Sequence, residues 1–94
     1  SGSPALALGA GPNPAPGTST LRFSLPAAGR VELTVYDIAG RRVARLAHGV
    51  FTAGEHAIPW DRVDEHGRRV GAGVYLARLE ATGGMLTTHV VLVN

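Results

Sequence analysis

The side chains able to do chemistry in this chain are few and scattered. His48, His56, His66 and His89 are potential metal ligands, but they lie far apart and lack the i, i+4 spacing of a helical zinc motif. There is no cysteine, so disulfides and thiolate metal sites are excluded. Asp61, Asp64 and Glu65 place three carboxylates in one short stretch. A calcium loop would alternate its oxygen donors and close on a Glu. The spacing here suits Asp61 and Asp64 as caps on turn amides instead. Ser19, Ser24 and the threonines have no acid–base partner at a recognisable spacing, so a nucleophilic triad is unsupported. All nine Lys-plus-Arg cations are Arg. Schiff-base chemistry and Lys–Asn isopeptide crosslinks are therefore excluded. The residues lead us to expect a non-enzyme with no cofactor and no metal.

Binding chemistry is also thin. Arg41, Arg42 and Arg45, and then Arg68 and Arg69, form small basic clusters, but the formal net charge is only +2. Nucleic-acid binding asks for more charge and for exposed stacking aromatics. Of the aromatic residues, Phe23, Phe51 and Trp60 read as core. Tyr36 and Tyr75 stand among apolar neighbours in strand-like segments, which favours packing over a carbohydrate platform. No apolar run approaches the ~20 residues that cross a bilayer.

The elements that must position these residues are strands. Apolar residues make up 45% of the chain, which argues against wholesale disorder. Ser1-Gly2-Ser3 reads as a cloning remnant. Residues 4–17 form a Pro- and Gly-rich lead-in, where Ala5 to Leu8 can add an edge strand with Leu6 or Leu8 against the core. The domain proper spans residues 18–94. Leu21, Phe23 and Leu25 alternate with polar residues, as do Val31, Leu33 and Val35. Asp37-Ile38-Ala39-Gly40 has the Asp and Gly of a type I turn. Arg41 to Leu46 forms the return strand, with Val43 inward and a register break near Ala44. His48 to Gly54 is expected to be a connection plugged by Val50 and Phe51. Glu55 to Trp60 is a strand that Pro59 restricts to an edge or a strand end. No internal repeat is visible.

From Trp60 to Tyr75 the chain runs WDRVDEHGRRVGAGVY. An aromatic anchor closes one strand, a polar Gly-bearing loop follows, and Gly73 opens the next strand, to Ala81. Thr82-Gly83-Gly84 makes a tight hairpin turn. Met85 to Val93 is the last strand, and its tail is apolar on both faces. That suits either a central covered strand or an edge with a partner. The sum is six to seven short strands at roughly 8–12-residue spacing, an all-β antiparallel sandwich of the immunoglobulin or fibronectin type III kind.

Several stretches, in this order, resemble a known family. They are Pro12-Asn13-Pro14, TLRFSLP, VELTVYDIAGRRV with Tyr36, Asp37 and Gly40, then Trp60-Asp61, Gly67, Gly73-Val74-Tyr75 and the closing Thr88 to Val93. Together they resemble the type A C-terminal sorting domains of type IX secretion. They equally resemble the related immunoglobulin-like domain of the flagellar hook-capping protein family. The family often has Gly after Trp-Asp, where this chain has Arg62. Near the end it usually has Lys or Arg, where this chain has His89 and Asn94.

The sorting resemblance implies a non-catalytic C-terminal module of a secreted bacterial protein, carried behind an upstream cargo domain. An outer-membrane translocon or surface-attachment machinery would read it, and it would be found outside the cell or at its surface. The recognition positions would be Pro12, Asn13, Pro14, Gly73, Tyr75, Thr88, His89, Val90, Val91, Leu92 and Val93. Tyr36, Asp37, Gly40, Trp60, Asp61 and Gly67 would be the structural signature. The hook-capping resemblance implies a structural assembly module. An appended glycan-binding domain is a third reading. None involves nucleic acid or a membrane span.

Overall fold

A computed structural model describes residues 5–11 and 18–93. They form seven strands: β1 (Ala7–Gly11), β2 (Ser19–Leu25), β3 (Gly29–Asp37), β4 (Arg42–Phe51), β5 (Gly54–Trp60), β6 (Gly73–Ala81) and β7 (Gly84–Leu92). They pair into a three-stranded sheet, order β1-β2-β5, and a four-stranded sheet, order β4-β3-β6-β7. Every pairing is antiparallel. The immunoglobulin-like sandwich expected from the alternation is the observed architecture.

The alternation sets the core directly. Leu21, Phe23 and Leu25 of β2 face Val31, Leu33 and Val35 of β3, and all six are buried. Ala77, Leu79, Val90 and Leu92 extend the same layer across β6 and β7. Leu6 and Leu8 pack against this cluster from the lead-in. The strand expected there lies at Ala7–Gly11 and pairs with β2.

β4 departs from expectation. It runs to Phe51, and only Thr52 and Ala53 separate it from β5. Val50 does not plug a connection: it is 71% exposed on the strand's outer face. The strand was hard to see because its register with β3 shifts twice. The pairs step from Leu33↔Ala47 to Thr34↔Arg45, and from Val35↔Ala44 to Tyr36↔Arg42, leaving Leu46 and Val43 as the extra residues. Each bulge breaks the period of two, and consecutive Val43 and Ala44 both end up buried. The second break falls beside Ala44, as the sequence indicated. Bulges also suit β4's position at a sheet edge, where they discourage pairing with another chain.

β5 is likewise an edge strand, where the missing amide of Pro59 is tolerated. β7 lies at the far edge of the four-stranded sheet, paired with β6. Its two-faced apolar tail is divided: Val90 and Leu92 point into the core, while Val91 and Val93 do not.

Candidate recognition edge and paired-turn end

Trp60 closes the sandwich at one end. Its ring is buried and meets Tyr75 edge-on, with centroids 5.6 Å apart at 78°. The Trp60 indole Nε1 donates to the Val63 carbonyl at 2.9 Å, and the Tyr75 hydroxyl donates to the Gly71 carbonyl at 2.7 Å. The two aromatics thus pin both ends of the loop that joins β5 to β6. Towards the other end of β5, His56 stacks on Phe23 (5.1 Å, 29°) and Phe51 meets both edge-on.

Inside that loop the chain makes a small hairpin, marked by a Val63↔Arg69 bridge. Its tip, Asp64-Glu65-His66-Gly67-Arg68-Arg69, copies the β3–β4 tip, Asp37-Ile38-Ala39-Gly40-Arg41-Arg42. Both read Asp-x-x-Gly-Arg-Arg. In each, Asp Oδ1 accepts the amides two and four residues on: Ala39 and Arg41 for Asp37, His66 and Arg68 for Asp64. In each, the Asp amide donates to the fifth residue's carbonyl, and the Gly amide donates back to the Asp carbonyl. The glycines sit at φ 84° and 82°, a left-handed conformation that glycine adopts without a Cβ penalty. No repeat was expected. This one escapes a domain-scale search because it is six residues long and lies within turns.

The two turns touch. The Glu65 amide donates to the Val43 carbonyl at 2.9 Å, and Glu65 takes Arg42 through two oxygens at 3.1 and 3.3 Å. They flank a shared cleft of ≈ 410 Å³ with Tyr75 and Val70 in its lining. The amide of Arg41 is the chief cause holding the Asp37 carboxyl below its ordinary value, with the Arg41 guanidinium adding to it. The amide of Arg68, and then that of His66, do the same for Asp64. Of the two aspartates expected as caps, Asp64 is one. Asp61 is exposed and accepts no amide among the described residues.

Sequence reasoning missed Arg62. It is buried, at 4% exposure, and its backbone stands at φ 66°. Its Nη1 donates to the Val93 carbonyl at 3.0 Å, tying the loop to the end of the last strand. The usable signal was positional: the resembling family often has Gly here, the residue that takes positive φ most easily.

The remaining chemical candidates are dispersed. His48 lies on β4, His56 on β5, His66 in the loop and His89 on β7. Among the described residues, no three His, Asp or Glu side chains gather as metal ligands would. Tyr36 lies under Arg78, whose guanidinium is 4.7 Å from the ring centroid and whose Nη2 donates to the Tyr36 hydroxyl at 2.6 Å.

Of the positions that the resemblance marks for recognition, Pro12, Asn13 and Pro14 lie outside the described residues. The others come together. Gly73 stands opposite Leu92, and Tyr75 opposite Val90. Val90 and Leu92 are core, Thr88 and Tyr75 half-buried, and His89 exposed. Val91 is half-buried on the outer face beside Val74, and Val93 is 36% exposed just past the strand.

No curated protein sequence matches the chain. Among solved structures, it is similar to dimeric latent PorU from Porphyromonas gingivalis, with TM-score 0.76 and 23% identity over 92% of this chain. It is also similar to PorZ of the same organism, an essential bacterial surface component of its type-IX secretion system. There the TM-score is 0.65, with 19% identity over 93% of this chain. The chain spans 9% of the PorU chain and 11% of the PorZ chain. The family profile of the FlgD Ig-like domain matches residues 13–84. With most of its length matched, including both Asp-capped turns and the Trp60 anchor, the chain belongs to the FlgD Ig-like domain family.

Proposed function

We propose that this domain is a non-catalytic sorting or anchoring module of a secreted bacterial protein, read by outer-membrane secretion machinery through the edge that carries β7. The observation that carries this reading is that the edge strand β7 presents Thr88 to Val93 with Gly73 and Tyr75 of neighbouring β6 directly opposite them. His89, Val91 and Val93 present side chains away from the core there, while Val90 and Leu92 fix the strand from within. A strand at a sheet edge is a surface that a partner reads by shape and side-chain alternation. The likeness to PorZ supports the same setting, a bacterial surface that a type IX system serves.

The test is a reporter fused upstream of the domain in a host with a type IX system. Surface delivery is expected, and H89D/V91D, both on the outer side, is expected to reduce it while the purified domain stays folded. A reporter retained in the periplasm overturns the reading.

The FlgD Ig-like match favours a second reading, a structural module of the hook-capping kind. The encoding gene separates the two, because a hook-capping chain carries an N-terminal rod-binding segment. A glycan-binding role gains no support from the aromatics, since Trp60 is buried, Tyr75 packs against it and Tyr36 is covered by Arg78.

A further inference from the structure

We infer that Arg62 is a positioning residue for the proposed recognition edge: its buried guanidinium holds the outgoing end of β7 in the path that presents Val91 and Val93. The role of the edge rests on the sorting reading, and the hold itself rests on geometry. Gly73↔Leu92 is the last pair of the β6–β7 ladder. A strand end frays unless it is tied down. One residue further on, the Val93 carbonyl accepts from Arg62 Nη1 at 3.0 Å, a charge-assisted bond that reaches across from the β5–β6 loop. Arg62 is itself buried, so a partner at the edge meets Val91 and Val93 and not the arginine.

Arg62 carries two costs. Burying a guanidinium removes its hydration, and a non-glycine residue at φ 66° is strained. The loop needs neither. The Arg62 carbonyl accepts from the Val70 amide at 2.7 Å, Trp60 Nε1 donates to the Val63 carbonyl, and the Tyr75 hydroxyl donates to the Gly71 carbonyl. None of these bonds uses the Arg62 side chain, and a glycine would make the backbone bond without the strain. They make the loop a fixed base. The side chain is an arm from that base to β7, and its effect falls on the strand that the sorting reading makes the contact. Val91 stands opposite Val74 on the outer face, so the path beyond Leu92 sets where Val93 lies relative to that pair.

The test uses Arg62→Met in the whole chain. Methionine fills a similar volume and keeps the backbone strain, but has no donor. Replacing a buried charge by an apolar residue of like size is close to neutral for stability, so the expected effect is local. Hydrogen exchange at the end of β7, residues 90–93, is expected to quicken at least about tenfold, as loss of a charged hydrogen bond implies. At Leu21 and Phe23 of the other sheet it is expected to hold within about twofold. Arg62→Lys, which keeps a charged donor, is expected to recover part of the protection. Surface delivery of an upstream reporter is expected to fall with Arg62→Met. It is expected to persist with Val31→Ala, a core change at the far end of the sheet that lowers the melting temperature at least as much. If Arg62→Met does not fold, Arg62→Gly drops the same bond and takes its place. Exchange that rises equally in both sheets, no rise at the end of β7, or full delivery with a folded Arg62→Met chain overturns the inference and leaves the sorting reading standing. A parent reporter retained in the periplasm ends the sorting reading and the role in recognition with it, and exchange then decides whether Arg62 holds β7.

Discussion

Arg62 meets two demands that pull in opposite directions. Its backbone occupies the left-handed region, which costs an ordinary residue about 1–2 kcal/mol relative to glycine. Its guanidinium holds the Val93 carbonyl, and a hydrogen bond from a charged group contributes about 1.5–3 kcal/mol. Arg62→Ala loses the bond and keeps the strain. Arg62→Gly loses the bond and relieves the strain. Both variants are expected to be less stable than the parent in urea melts, with the Ala variant about 1 kcal/mol below the Gly variant. Equal stability of the two would show that the backbone at this position is not strained. Asp64 makes a pH prediction at the same scale. Its folded-state pKa lies below the ordinary 3.8, chiefly because the Arg68 amide bonds the ionised form. The folded state therefore binds fewer protons than the unfolded state in that window. Stability from this group is complete above 3.8 and is lost as pH falls through the lower, folded value. The melting-temperature gap between wild type and Asp64→Ala is expected to be constant above that pH and to narrow below it. A gap that stays flat into acid would remove the ionised cap from the account.

At the scale of elements, the two turns should respond alike to the same change. A Cβ added at Gly40 or Gly67 meets nothing within 4 Å, so only the backbone conformation is penalised. Gly40→Ala and Gly67→Ala are each expected to cost about 1 kcal/mol or more in denaturant melts, and by similar amounts. A loss at one site and none at the other would mean that the local hydrogen bonds do not set the energetics. The same elements show what the sequence made legible. β2 and β3 carry apolar residues at every second position, all of them buried, so periodicity marked them, whereas β6 was marked as an apolar segment opened by Gly73. β4 was legible only in its first half. Its two bulges put Val43 and Ala44 inward together, and beyond them His48, Gly49 and Val50 face largely outward, which resembles a loop. The residues of the proposed recognition edge were legible as types, while their gathering depended on the β6–β7 register. Arg62 was missed for a different reason. Arginine is seldom buried, and nothing in its neighbours' pattern distinguishes a buried one from the exposed Arg68 and Arg69.

For the whole molecule, stability rests on apolar packing between two sheets with no disulfide to restrain the unfolded chain. Three aromatic contacts cross between the sheets, beside the aliphatic core. Phe51 of one sheet reaches Phe23 and His56 of the other, and Tyr75 of one reaches Trp60 of the other. Trp60 does more than fill space, because its indole N–H also anchors the start of the loop that carries Arg62 and the second Asp-capped turn. Removing it leaves a cavity at the sheet interface, an unpaired Val63 carbonyl and an unsupported Tyr75. Truncating a buried aromatic to Ala costs about 3–5 kcal/mol, against a total of about 5–15 kcal/mol for an ordinary domain. Trp60→Ala is therefore expected to remove a large share of the stability margin, read as a lowered urea midpoint by far-UV circular dichroism. It should also lower the slope of the transition if the loop and the end of β7 loosen before the rest. A loss under about 1 kcal/mol would show that the sheets are held by the aliphatic core alone. The loop between β5 and β6 would then be an appendage of the sandwich and not one of its supports.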